Sequence, residues 1–254
     1  MNHNICICTT KGNLFLHLFL YKFLRKKNLI KKLNIVFIHS SNSKWKLSEK
    51  IIFFILFIDF GGLYYLFTNN FILRFLYSKK RISYYNINNE TELLSIYKNY
   101  DFTHLVSLGS PIIFKDSFLK DINYNAVNIH NGLTPTYRGH LSTFWELYND
   151  EKTFVTSLHK MSSKVDSEVP LLCSYVNSQD KNFIKISWAK KKNAATLLQK
   201  FLNNEIEIGK STTNIGTHYN MPNIIDLNEY FTTNKFRIFF IKKYILQILF
   251  KIFL

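Results

Sequence analysis

Apolar positions along this chain alternate between two rhythms, and the changes of rhythm mark its elements. Residues 4–9, 33–39, 82–87, 104–108 and 126–130 are short apolar runs rich in branched side chains, and each predicts a strand. Between them, 14–27 has helical spacing, as does 90–100 through Leu93, Leu94 and Tyr97, and 112–119 predicts a shorter helix. Residues 47–77 form a long, helical and strongly apolar stretch. Strand and helix thus alternate at α/β spacing, so the expected architecture is a mostly parallel sheet flanked by helices.

Past residue 130 the order changes. Residues 142–149 predict a helix with Phe144, Trp145 and Tyr148 on one side, 154–161 alternates as a strand, and 169–176 supplies its pairing partner. A helix is expected over 188–203, followed by a polar tail over 209–222. Residues 235–254 read as a basic helix with an apolar face of Phe236, Phe240, Tyr244, Ile248 and Ile252, suited to capping a domain, meeting a partner or lying on a membrane. No repeat or low-complexity linker intervenes, so 1–225 is read as one domain and 226–254 as a basic amphipathic extension.

Composition narrows this picture a little. The 254 residues suffice for one good-sized core. The abundance of Phe, Tyr, Ile, Asn and Lys matches AT-rich coding bias, which lowers the weight of any single aromatic or lysine. A net charge of +16 fits an anionic partner or that same bias. Basic residues gather at 25–32, 190–192 and 235–251 without the interleaved glycine and aromatics of nucleic-acid modules, so nucleic acid is not the expected partner.

Cys6, Cys8 and Cys173 show no zinc-site spacing, so no metal is expected; Cys6 and Cys8 read as buried strand thiols in a reducing cytoplasm. The amino terminus lacks a signal-peptide pattern. The apolar run 51–67 is interrupted by Asp59, Gly61 and Gly62, which favours a buried or surface-lying helix over a spanning one. The expected location is cytoplasmic, with contact at the inner membrane surface left open.

The chemistry concentrates at Asn128-Ile129-His130. In extended backbone, residues two apart share a face, so an amide and an imidazole project together at the end of a strand. That is where open α/β sheets place their ligands. Asp166 follows in a loop-like segment, and amide, imidazole and carboxylate together suffice for acyl transfer.

The ordered set Asn128-Ile129-His130, then Gly132-Leu133-Thr134-Pro135-Thr136-Tyr137-Arg138-Gly139, then Val165-Asp166-Ser167 resembles the formyltransferases that use N10-formyltetrahydrofolate. Their pattern is N-x-H, a leucine/proline loop ending in Tyr-Arg-Gly, and a later D-[TS]-G. The likeness extends over about residues 80–172. It implies a Rossmann-like formyltransferase fold, with Asn128 donating to the oxyanion, His130 donating or moving protons, and Asp166 orienting the ring or accepting the amine proton. Ser110, Pro111, Ile112, Ile113 and Val165 are implied on the folate side, and Tyr137, Arg138 and Gly139 on the acceptor side. Glu168 and Lys164 depart from the family by standing where glycines are frequent.

Within that family the acceptor amine varies. The residues at 9–14 make a poor phosphate loop of the glycinamide-ribonucleotide type, and those after Tyr219 are too few for a tRNA-binding barrel. Exclusion leaves amino-sugar enzymes of surface polysaccharide synthesis, with a nucleotide-linked acceptor and a possible homodimer. Methionyl-tRNA or glycinamide ribonucleotide as acceptor, and a diverged, non-catalytic membrane-associated binding protein, are the alternatives.

Overall fold

The computed structural model describes residues 4–10, 34–40, 46–57, 84–110, 112–179, 182–203, 205–206, 208 and 216–233. The helix expected at 14–27, residues 58–77 of the apolar stretch 47–77 and the basic segment from 234 onward lie outside these residues.

A seven-stranded sheet forms the centre. Strands β1 (Asn4–Thr10), β2 (Asn34–Ser40), β3 (Tyr84–Ile87), β4 (His104–Leu108) and β5 (Ala126–His130) run parallel in the order β3-β2-β1-β4-β5. Two further strands, β7 (Thr153–Lys160) and β8 (Pro170–Asn177), continue that edge antiparallel. Two short strands, β6 (Tyr137–Gly139) and β9 (Thr217–Tyr219), make a separate parallel ribbon. The helices are α1 (Leu47–Phe57), α2 (Glu90–Asn99), α3 (Asp116–Asp121), α4 (Ser142–Tyr148), α5 (Phe183–Leu202) and α6 (Ile224–Thr233).

Strand alternation divides the core. Ile5, Ile7, Val106, Leu108, Val127, Ile129 and Leu158 turn to one face and meet Ala194, Leu197, Leu198 and Phe201 of α5. Cys6, Cys8, Leu105 and Ala126 turn to the other and meet Leu93 and Tyr97 of α2 and Phe118 and Leu119 of α3. Covering both faces explains why the central parallel strands are apolar at consecutive positions rather than at every second one. A third cluster joins α1, α4, α5 and α6 around Phe144, Phe154 and Tyr230.

The architecture matches the expected mostly parallel sheet flanked by helices, with shifted boundaries at two helices. The helix expected from residue 112 starts at Asp116, because Lys115 is extended (φ −77°, ψ 157°) and its amide donates to the Glu90 carboxylate at the start of α2. The helix expected from 188 starts at Phe183. The Asn182 side chain accepts from the amides of Ile184 and Lys185 at 3.0 Å, and Phe183, Ile184 and Ile186 bury a further turn. The polar tail also contains β9. Among the described residues, no helix is long and apolar enough to cross a membrane.

Candidate active site

Because Val127 and Ile129 face α5, Asn128 and His130 face the opposite side at the carboxyl end of β5. The antiparallel register of β7 sets His159 directly across from Asn128. The chain then leaves β7 and returns in the loop before β8, carrying Asp166 onto this pair. Asp166 takes φ +50°, a left-handed conformation that aspartate tolerates better than most residues. Neither Lys164 nor Glu168 has positive φ, so the backbone of this loop does not demand the glycines those residues replace.

Asp166 is the hub of the network and is 7% exposed. Its carboxylate accepts from Asn128 Nδ2 at 2.9 Å and from the Gly139 amide at 3.2 Å. It also lies 3.3 Å from His130 Nδ1 and 3.4 Å from His159 Nε2. Burial alone would raise its pKa, but the two imidazoles and the Gly139 amide outweigh that and hold the carboxyl well below the usual carboxylate range.

His130 is held from both ends. Nε2 lies 2.7 Å from the Tyr137 carbonyl, to which it can only donate, and 2.9 Å from Ser142 Oγ. With Nδ1 on Asp166, both ring nitrogens face acceptors, which by itself favours the doubly protonated ring. Burial acts the other way and is the largest influence, pulling the pKa of His130 below the ordinary imidazole value; Asp166 and the Tyr137 carbonyl offset this in part. The result is a ring whose geometry favours a proton that burial makes easy to give up.

His159 Nδ1 donates to the Lys160 carbonyl at 2.8 Å, and its Nε2 lies 3.3 Å from Asn128 Nδ2 and 3.4 Å from Asp166. One amide hydrogen of Asn128 is held by Asp166, and the second is the one to offer a bound oxygen. Gly132 leaves room for the ring: a Cβ there would fall 2.7 Å from the Tyr137 carbonyl oxygen and 2.8 Å from His130 Nε2.

The other sequence candidates surround this network. Arg138 Nε donates to the Val165 carbonyl at 2.9 Å, which ties the β6 ribbon to the Asp166 loop, and Gly139 contributes its amide to Asp166. Tyr137 donates to Glu151 at 2.7 Å and stacks on Tyr219, so its hydroxyl is engaged away from Asp166. Burial raises that phenol's pKa beyond the ordinary value. Ser110 lies past the end of β4, beside Cys8 Sγ at 3.2 Å, and accepts from the Ile112 amide. Ile112 is half-buried and Ile113 is 68% exposed. Pro111 lies outside the described residues.

Three participants escaped the sequence reading. His159 stood in a recognised strand but its partner depends on register. Ser142 opens α4 without any motif. Lys190 looked like part of a surface basic run at 190–192 and is in fact fully buried. Its ammonium pairs with Glu146 and donates to the Asn131 carbonyl at 2.9 Å and to Thr143 Oγ1 at 3.3 Å.

No protein-family model matches the chain. A stretch of 92 residues is 28% identical to GDP-perosamine N-formyltransferase of Brucella melitensis and covers 36% of this chain and 36% of that protein. The chain therefore spans about a third of the length of that curated relative. A sugar N-formyltransferase from Shewanella sp FDAARGOS_354 superposes with TM-score 0.58 at 15% identity, over 85% of this chain and 76% of that one. Glycinamide ribonucleotide transformylase 1 from Symbiobacterium toebii gives 0.57 at 13%, over 85% and 95%. The N-formyltransferase from Helicobacter canadensis, in complex with folinic acid and dTDP-3-aminofucose, gives 0.53 at 16%, over 87% and 73%. These structural likenesses establish the formyltransferase fold. Sugar and ribonucleotide enzymes superpose about equally well, so the fold by itself does not select an acceptor.

Proposed function

We propose that this chain, which has the formyltransferase fold and a partial sequence likeness to a sugar N-formyltransferase, transfers a formyl group from N10-formyltetrahydrofolate to the amine of an amino sugar. The acceptor in this reading is nucleotide-linked and destined for surface polysaccharide. The observation that carries it is the single network of Asn128, His130 and Asp166 at the end of β5. Its donor set suits a formyl amide: two hydrogen-bond donors for the oxygen that gains charge, and one ionised carboxylate for the proton that is lost.

In this mechanism the uncharged amine attacks the formyl carbon. Asn128 and the His130 Nε2–H, turned from the Tyr137 carbonyl, donate to the oxygen. Asp166 passes the proton that the amine sheds, directly or through water, to His130 Nδ1, and His130 gives its Nε2 proton to the departing nitrogen. Charge thus balances, with one proton leaving the amine and one arriving on the leaving group. Ser110, Ile112, Ile113 and Val165 are assigned to the folate side, where the exposed Ile113 offers apolar surface, and Tyr137, Arg138 and Gly139 to the acceptor side.

The test is formyl transfer by the purified chain to nucleotide-linked 3-amino and 4-amino sugars, glycinamide ribonucleotide and methionyl-tRNA. Turnover of an amino sugar that falls by about a hundredfold or more in His130→Ala supports the proposal. Turnover confined to glycinamide ribonucleotide or methionyl-tRNA overturns the acceptor and keeps the mechanism. No transfer and no binding of a folate analogue leaves a non-catalytic binding protein as the reading.

A further inference from the structure

We infer that Lys190 is a positioning residue for His130, acting through the Asn131 carbonyl and the first turn of α4. The lysine lies on α5, is 0% exposed, and touches neither Asn128 nor Asp166 by any described contact. Its ammonium nevertheless reaches the two chain segments that hold the His130 ring. It donates to the carbonyl of Asn131, the residue after His130, at 2.9 Å. It also donates at 3.3 Å to Thr143, whose neighbour Ser142 contacts His130 Nε2. Its third partner, Glu146, lies one turn further along α4 and accepts from the Val155 amide of β7 at 3.3 Å.

One cation therefore joins α5, the end of β5, the start of α4 and, through Glu146, β7. Stability alone is a poor reason to bury such a pair. Two charges taken out of water carry a large desolvation cost, and apolar replacements of similar volume are often neutral or stabilising. An apolar pair would fill the space but would offer nothing to the Asn131 carbonyl. What the ion pair adds over an apolar pair is direction: three donors aimed at three fixed acceptors around the base of the site.

The inference rests on the proposed function only for its activity readout, and a spectroscopic readout stands apart from it. Glu146→Leu/Lys190→Met removes both charges together, and Glu146→Gln removes one while leaving the donations to Asn131 and Thr143. Imidazole ¹⁵N spectra at neutral pH, with the His130 signals identified by their loss in His130→Gln, report the hydrogen bonding of its two nitrogens. The expected result is a double variant that melts within a few degrees of wild type yet has shifted or broadened His130 signals. Its kcat for formyl transfer should fall by about tenfold or more, with KM for the amine changed by less than about threefold. Glu146→Gln should retain the wild-type His130 spectrum. Unchanged His130 signals and kcat in a folded double variant would overturn the inference, as would a His130 spectrum altered in Glu146→Gln. If the double variant fails to fold, Glu146→Gln/Lys190→Met, which removes the lysine's donations and keeps a polar group on α4, is measured in its place with the same two outcomes. If wild type transfers no formyl group, the reaction proposal fails while the spectra still decide the role of Lys190.

Discussion

Asp166 concentrates the consequences at the scale of single residues. Asp166→Asn removes the negative charge that faces Asn128, His130, His159 and the Gly139 amide and one of its two acceptor oxygens, and the proposed formyl transfer should fall by about a hundredfold or more. Its pKa is depressed in the native state, so it adds stability that is fully present above the unfolded value of about 3.9 and is lost as pH falls through the native one. Urea unfolding from pH 7 downward should show wild type losing stability more steeply than Asp166→Asn below about pH 4. Equal slopes would contradict the depressed pKa. Gly132→Ala forces a methyl between Tyr137 and His130 and should cost about 1–3 kcal/mol, with a larger proportional loss of turnover than of folded protein. Unfolding curves and kcat measured side by side test this. Asn128 and His130 were legible because polar groups two apart interrupt an apolar run, and Asp166 because its loop segment resembles a family motif. His159, Ser142 and Lys190 were not: their roles depend on strand register and burial, which spacing along the chain does not encode.

At the scale of elements, α5 closes one face of the sheet and at the same time carries Lys190 beneath the site. Leu198 lies in that face at 0% exposure, and Leu198→Ala should lower stability by about 2–5 kcal/mol in denaturant unfolding. A change under about 1 kcal/mol would mean that α5 packs less closely than described. The parallel strands were readable because burial on both faces produces continuous apolar runs, and β7 because its alternation is long. The starts of α3 and α5 were misplaced because a long-range bond from Lys115 to Glu90 and a cap by Asn182 decide them. Strands β6 and β9, three residues each, are too short for any period to register. Their pairing depends on Gly216, where a Cβ would fall 1.8 Å from the Pro135 carbonyl oxygen.

For the whole molecule, the net charge of +16 admits a direct test of whether it serves the acceptor or reflects coding bias. If the acceptor carries a nucleoside diphosphate steered by this field, its KM should rise severalfold between about 0.05 and 0.2 M salt, with kcat nearly constant. A flat KM would favour coding bias. The sheet itself offers a different use. Cys6 and Cys8 sit at 0% exposure in β1, between two parallel neighbours, and burial pushes the Cys8 thiol up to about 11 and Cys6 well above its ordinary value. Cys173 lies half-buried on β8, at the end of the strand order. A thiol-reactive dye should therefore count one quick sulfhydryl and two slow ones, since the reacting species is the exposed thiolate. The slow phase then records how often the central strands come apart. A ligand that binds only the closed form slows that phase by the factor 1 + [L]/Kd. The three cysteines thereby turn the chain into its own binding assay, one that ranks folates and nucleotide-sugars without any catalytic readout.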